Sequence, residues 1–203
     1  MKERYTTTDK SIKILRKKIV RRWNDAKADA RLTRFDELTV ISAVDELYKR
    51  LDSDFRDSML ELAIAIYEEA EESGSERPTK KYLNKLLSKP DPVTKYAYTS
   101  EALRKRDRLK EALETRSDTA YEWRKAMSFW ANMAAQYADC ITDEVTLKAY
   151  RDAGVKYVMW VTQRDEKVCE DCRPRNGTVY PIGEAPPKEH WHCRCYYIPW
   201  HKE

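Results

Sequence analysis

Cys169-Glu170-Asp171-Cys172, followed one loop later by His190-Trp191-His192-Cys193-Arg194-Cys195, decides how the end of this chain folds. Four of the five cysteines and two of the three histidines lie in this short stretch. Thiolate and imidazole are the ligands Zn²⁺ prefers, and two close pairs separated by a loop are how a chain encircles one ion. Cys169 and Cys172 form a C-x-x-C knuckle, and His190 and Cys193 form an H-x-x-C knuckle, giving a Cys₃His set. Cys195 competes, because Cys193 and Cys195 fall on one face of a strand. It replaces either His190 or Cys193 in the rival set. His192 is the weakest candidate, since surface exposure explains it equally well. The expected cofactor is a structural zinc ion. Buried reduced thiols or a disulfide are the competing reading.

Upstream of the knuckles, Val155, Tyr157, Met159 and Val161 alternate with Lys156, Val158, Trp160 and Thr162, a strand pattern. Further short strands are expected at Thr178 to Ile182 and Tyr196 to Ile198, with Asn176-Gly177 as a turn. Burying one apolar side chain contributes roughly 1.5–3 kcal/mol, and ordering each residue costs about 1–2 kcal/mol. A structural zinc site contributes roughly 10–16 kcal/mol in small peptides. A metal is therefore expected to be a main source of order in this tail.

The rest of the chain reads as helix. An amphipathic stretch from about Asp9 to Ala30 carries Ile12, Leu15, Ile19, Val20 and Trp23 on one face. From Asp36, Ile41, Val44, Tyr48, Leu51, Phe55, Met59, Leu62 and Ile66 recur at steps of three and four, predicting one long helix or a broken pair. Ser73-Gly74-Ser75 ends that helix and Pro78 forbids its continuation. A short helix is expected over Lys80 to Leu87, and Pro90 and Pro92 then mark a linker or docking loop. A charged helix follows over Glu101 to Leu113, then another over Asp118 to Asp139 with an aromatic stripe of Trp123, Met127, Trp130 and Tyr137. Cys140 reads as a small buried residue. Thr142 is expected to cap a further short helix through Leu147 and Tyr150, closed by Gly154. The expected fold is α+β, mainly α: long N-terminal and central helices, then a small metal-clasped β-rich module. Its expected divisions are 1–88, 89–154 and 155–203.

Of 203 residues, 36% are charged, and the net charge is +4. Basic runs at Lys10 to Arg22 and Arg104 to Lys110 flank an acidic segment ending in Glu68-Glu69-Ala70-Glu71-Glu72. Opposite-sign segments in one chain usually answer one another, although basic runs also suit a phosphate backbone. No apolar run approaches the roughly 18 residues of a membrane span. Met1-Lys2-Glu3-Arg4-Tyr5 lacks a signal-peptide layout, so an intracellular protein with reduced cysteines is expected.

Asp165-Glu166-Lys167-Val168-Cys169-Glu170-Asp171-Cys172-Arg173, Asn176-Gly177-Thr178-Val179-Tyr180-Pro181-Ile182, Ala185-Pro186-Pro187 and His190 to Cys195 together resemble the phage Mu protein F-like family. Asp91-Pro92-Val93-Thr94-Lys95-Tyr96, Ala149 to Val155 and Trp160-Val161-Thr162 fit the same resemblance, in the form found in prophages of Gram-positive bacteria. It is dense from about residue 90 onward. Glu170 stands where the family often has proline, and Trp191 and His192 stand inside its usual His-Pro-Asn-Cys-Arg-Cys. The second change leaves open whether His192 substitutes for His190.

The resemblance implies a minor head, or head morphogenesis, protein that joins the assembling procapsid near the portal. Its implied partners are the portal protein and other head proteins, with DNA as a further contact, and with no membrane and no small-molecule substrate. Its implied location is the host cytoplasm during assembly, then the virion head. The alternative is a zinc-ribbon nucleic-acid-binding protein displaying Arg173, Arg175, Arg194 and Trp191. An enzyme is not expected: no Gly-rich phosphate loop, nucleophile elbow or zincin motif occurs, and Asp165 and Glu166 are explained by a turn. No catalytic residue is assigned, and the sequence does not locate a partner surface.

Overall fold

The computed structural model describes residues 2–32, 37–70, 74, 76–93, 95–115, 119–163, 168–190 and 193–201. Asp36, Glu71, Glu72, Ser73, Ser75, Thr94, Asp118, Asp165, Glu166, Lys167, Trp191 and His192, all named above, lie outside the described residues. The described elements are α1 (Lys2–Leu32), α2 (Glu37–Glu68), α3 (Lys80–Leu87), α4 (Tyr98–Glu114), α5 (Thr119–Asp152), β1 (Tyr157–Val161), β2 (Val179–Pro181) and β3 (Tyr196–Trp200). The α+β, mainly helical reading holds.

The three-and-four seam of α2 is one unbroken helix whose Leu51, Phe55, Met59, Leu62 and Ile66 are buried. It meets Leu15, Ile19 and Trp23 of α1 and the aromatic stripe of α5 in one core. Trp130 lies at the centre, with Tyr48, Phe55, Tyr98 and Phe129 rings edge-on to it. Phe55 and Tyr98 stack at 4.3 Å. Val20, expected on the apolar face of α1, is instead 43% exposed.

Opposite charges answer one another across the bundle. Arg22 of α1 reaches Asp54 of α2 at 2.8 Å, and Lys110 of α4 reaches Asp45 of α2 at 2.7 Å. Thr79 caps α3, accepting a bond from the Tyr82 backbone N–H at 3.2 Å.

The expectation for Thr142 is also overturned. Thr142 starts no new helix, because α5 runs unbroken to Asp152. Its hydroxyl donates back to the Ala138 carbonyl at 2.8 Å and also lies 3.0 Å from the Thr8 hydroxyl of α1, in hydrogen-bond contact with it. Burial against α1 turns a capping residue into an interhelical contact. Cys140 is half-buried rather than buried, and its thiol donates to Asp91 Oδ2 at 3.0 Å.

Gly154 does end α5 as expected. It adopts φ +83°, and the Val155 N–H bonds the Tyr150 carbonyl while the Gly154 N–H bonds that of Arg151. That is a Schellman closure, which delivers the chain directly into β1. The sheet has the order β2-β1-β3, antiparallel throughout. Val158, Trp160 and Tyr197 point inward and pack on Leu147 and Tyr150 of α5. The module therefore has its own small core, built on the last turns of the helix that anchors the bundle.

Candidate metal centre

Two connections deliver the thiols and the imidazole, one between β1 and β2 and one between β2 and β3. Cys169 and Cys172 flank a tight turn that leads into a 3₁₀ turn at Arg173–Arg175. The Cys172 N–H donates to Cys169 Sγ at 3.3 Å, which turns both sulfurs to one side. Asn176 and Gly177 follow. Gly177 takes φ +80°, and Asn176 Oδ1 accepts from the N–H and hydroxyl of Thr162, at 2.9 and 3.1 Å. The knuckle is thereby fixed to the end of β1. Cys193 and Cys195 alternate just before β3, and both are buried.

His190 Nε2 lies 3.1 Å from Cys169 Sγ and 3.1 Å from Cys172 Sγ. Cys172 Sγ lies 3.7 Å from Cys193 Sγ. Cys169, Cys172 and His190 form one group able to hold a metal, and Cys172, Cys193 and Cys195 form another, with donor atoms in each group within 4.8 Å of one another. Cys172 belongs to both. All five cysteines are free thiols. Of the donors expected from sequence, Cys169, Cys172, His190, Cys193 and Cys195 converge, while His192 lies outside the described residues.

The donor set suits a cation. Cys193 is pulled toward thiolate by its hydrogen bond with Cys195, and Cys195 is pushed up by that same bond and by burial. Burial pushes the Cys172 thiol up, chiefly by disfavouring its charged form. A bound cation reverses that penalty, because it supplies the charge that burial removes.

Sequence reasoning missed what surrounds the donors. Lys188 Nζ binds Asp143 Oδ1 of α5 at 2.8 Å, and the pair is mostly buried. Asp139, one turn earlier on α5, is pushed up to about 7 by burial, with Asp143 adding repulsion and Lys188 opposing. Asp143 is pushed up to about 6, again chiefly by burial. Both carboxyls line a cavity of about 310 Å³ between α5 and residues 185–190, which also touches His190 and Cys193. Nothing in the local sequence pairs Lys188 with a carboxylate some forty residues away; the only signal is its place beside Pro186-Pro187.

Residues 98–198 match the family model described as Phage Mu protein F like protein. Across this segment the chain belongs to the phage Mu protein F-like family. The matched stretch begins at the first residue of α4 and ends inside β3, so it takes in the Cys/His cluster and the α5 helix beneath it. The family is one of phage head morphogenesis proteins, structural in character. No curated protein and no solved structure matches the chain. Among the described residues, no helix is long and apolar enough to cross a membrane.

Proposed function

We propose that this Mu F-like protein is a minor head component that takes part in procapsid assembly near the portal. Its C-terminal module, residues 155–203, is held in shape by one zinc ion. The proposed ligands are Cys169, Cys172, His190 and Cys193, with Cys195 donating to Cys193 from beside the site. Two thiolates at roughly 2.3 Å from a tetrahedral ion stand about 3.8 Å apart. The 3.7 Å spacing of Cys172 and Cys193 fits that edge, and it is the observation that carries the reading. Four protein ligands close the coordination sphere, so the ion has a structural role and no reaction is assigned.

In this role the chain's partners are the portal and other head proteins, with packaged DNA as a further contact. It is made in the host cytoplasm and ends in the virion head. The zinc-ribbon alternative is less well supported, since Arg175, one of the basic residues it would display, is engaged within the module. Arg175 lies 5.5 Å over the Trp160 ring, and its guanidinium is 3.7 Å from Glu189.

Two measurements test the proposal. Metal analysis of the purified protein should find one zinc per chain, lost in Cys172→Ser and retained in Cys195→Ser. Retention in Cys172→Ser would overturn the ligand set. Co-expression with portal and scaffold should carry the protein into procapsids; procapsids that exclude it would overturn the head assignment.

A further inference from the structure

The solvent side of α5 between α1 and α4 is a positively charged face. Arg16 of α1 donates its Nε–H to the Ala131 carbonyl of α5 at 3.2 Å. From the other flank, the Lys105 ammonium of α4 lies 5.5 Å from the centroid of the Phe129 ring. These two cations straddle α5 within one turn. Lys125, one turn earlier on α5, lies 5.1 Å over the Tyr121 ring. Arg104 is held beside Lys105 by a two-pronged bond to Glu101, at 3.0 and 2.9 Å. Arg108 and Arg124 are exposed nearby on α4 and α5.

This clustering differs from the α2 side of the bundle. There Arg22, Arg106 and Lys110 each reach an aspartate. On the α5 face Glu101 answers Arg104, while Lys105 and Lys125 are seated on rings. The crowding has an electrostatic cost: the Lys105 ammonium is disfavoured by burial first, then by Arg104, Lys125 and Arg108, with Glu101 opposing. A polyanion laid over the face would remove that repulsion. Ser128 and Asn132 fill the exposed side of α5 between the cations. Tyr121, 46% exposed on the same side of α5, is seated under Lys125, so the face is polar and positive, as interfaces with nucleic-acid backbone are.

We propose that this α1–α5–α4 face docks the phosphate backbone of duplex DNA without reading its sequence. The proposal rests on the head-component reading, which brings the chain next to packaged DNA. The cations come from three packed helices, and contacts to phosphates position a duplex without reading its base edges.

Binding of the full chain to a short labelled duplex, followed by anisotropy between about 50 and 200 mM salt, tests this. Neutralising about four phosphates gives a slope of log K against log salt near −3.6. The variant Lys105→Ala/Arg108→Ala/Lys125→Ala should bind at least about tenfold more weakly at low salt and flatten the slope by about 2–3. Arg108→Ala/Arg124→Ala, which removes two exposed side chains and no packing, should show a smaller loss in the same direction. Lys10→Ala/Lys17→Ala, on the outward ridge of α1, should leave binding within about twofold. Unchanged affinity in both face variants would overturn the proposal. So would equal loss in the α1 variant, or competition by polyglutamate as effective as that by duplex. Procapsid incorporation of the face variants is scored separately: incorporation without DNA binding refutes the DNA face alone, and loss of incorporation by the unmodified chain refutes the head reading.

Discussion

Lys188 Nζ meets Asp143 Oδ1 at 2.8 Å, so the loop bearing His190 is tied to α5 two residues before the imidazole. The pair is shielded from solvent, which lets it set the position of the His190 imidazole rather than merely decorate the surface. Lys188→Met should leave the donor atoms in place chemically but loosen their geometry. Outer contacts of this kind typically alter metal affinity by about 10–100-fold. Competition with a chromogenic chelator should show weaker zinc binding in Lys188→Met and near-recovery in Lys188→Arg.

The carboxyls of α5 predict a pH dependence. Asp139 and Asp143 are raised from 3.8 to about 7 and about 6, chiefly by burial. Between about pH 4 and 7 the native state therefore holds more protons than the unfolded chain, and stability falls as pH rises through that window. Asp139→Asn removes its share of the penalty. Urea midpoints should show Asp139→Asn more stable than the parent at pH 8, by about 1–3 kcal/mol, with the gap closing at acidic pH.

Gly74 lies against the end of α5. A Cβ placed there would sit 2.5 Å from Asp152 Cβ and 2.9 Å from its backbone carbonyl. Those atoms belong to a helix terminus pinned by Tyr67, whose hydroxyl donates to Asp152 Oδ2 at 2.8 Å. Gly74→Ala should cost about 1–3 kcal/mol through overpacking. Thermal denaturation would register it as a lowered Tm.

Asp91 is buried, and it fastens the Pro90–Ala97 loop to α5. Its carboxylate accepts from Gln136 Nε2, the Cys140 thiol and the Val93 N–H, each at 3.0 Å. Asp91→Ala strands buried donors and should destabilise by about 2–4 kcal/mol, while Asp91→Asn should cost less. Chemical denaturation of the two variants separates these outcomes.

Chelation should act locally. No thiol of the cluster belongs to the main bundle core, whereas Cys172, Cys193 and Cys195 are part of the module core. Removing the metal should therefore abolish amide protection across Val158 to Val161 and leave protection across Leu51 to Leu62 intact. Loss of protection in both would mean that the two cores fold as one unit.

Helix spacing, turn residues and the knuckle spacings are local properties, and each was legible. The helical seam of α2, the span of α3, the Gly154 closure and the strands around Asn176-Gly177 follow from side-chain period and backbone preference, whereas the choice of one unbroken α2 over a broken pair was left to the structure. The convergence of Cys169, Cys172, His190, Cys193 and Cys195 was anticipated by their close paired spacing, which turns neighbouring donor side chains toward one point. The role of Thr142 was not, because a hydroxyl able to cap a helix serves equally well as a contact to Thr8 once α1 packs against it.

The sequence by itself determined the mainly helical body, the small β-module and the identity of the converging donors. Only the tertiary structure decided that Cys172 stands between both donor groups, that Lys188 is tied to Asp143, and that cations from three helices share one face. The reason is that these relations join residues far apart in sequence. Their distances are set by how α5 packs between α1, α4 and the sheet, and no local pattern records that packing.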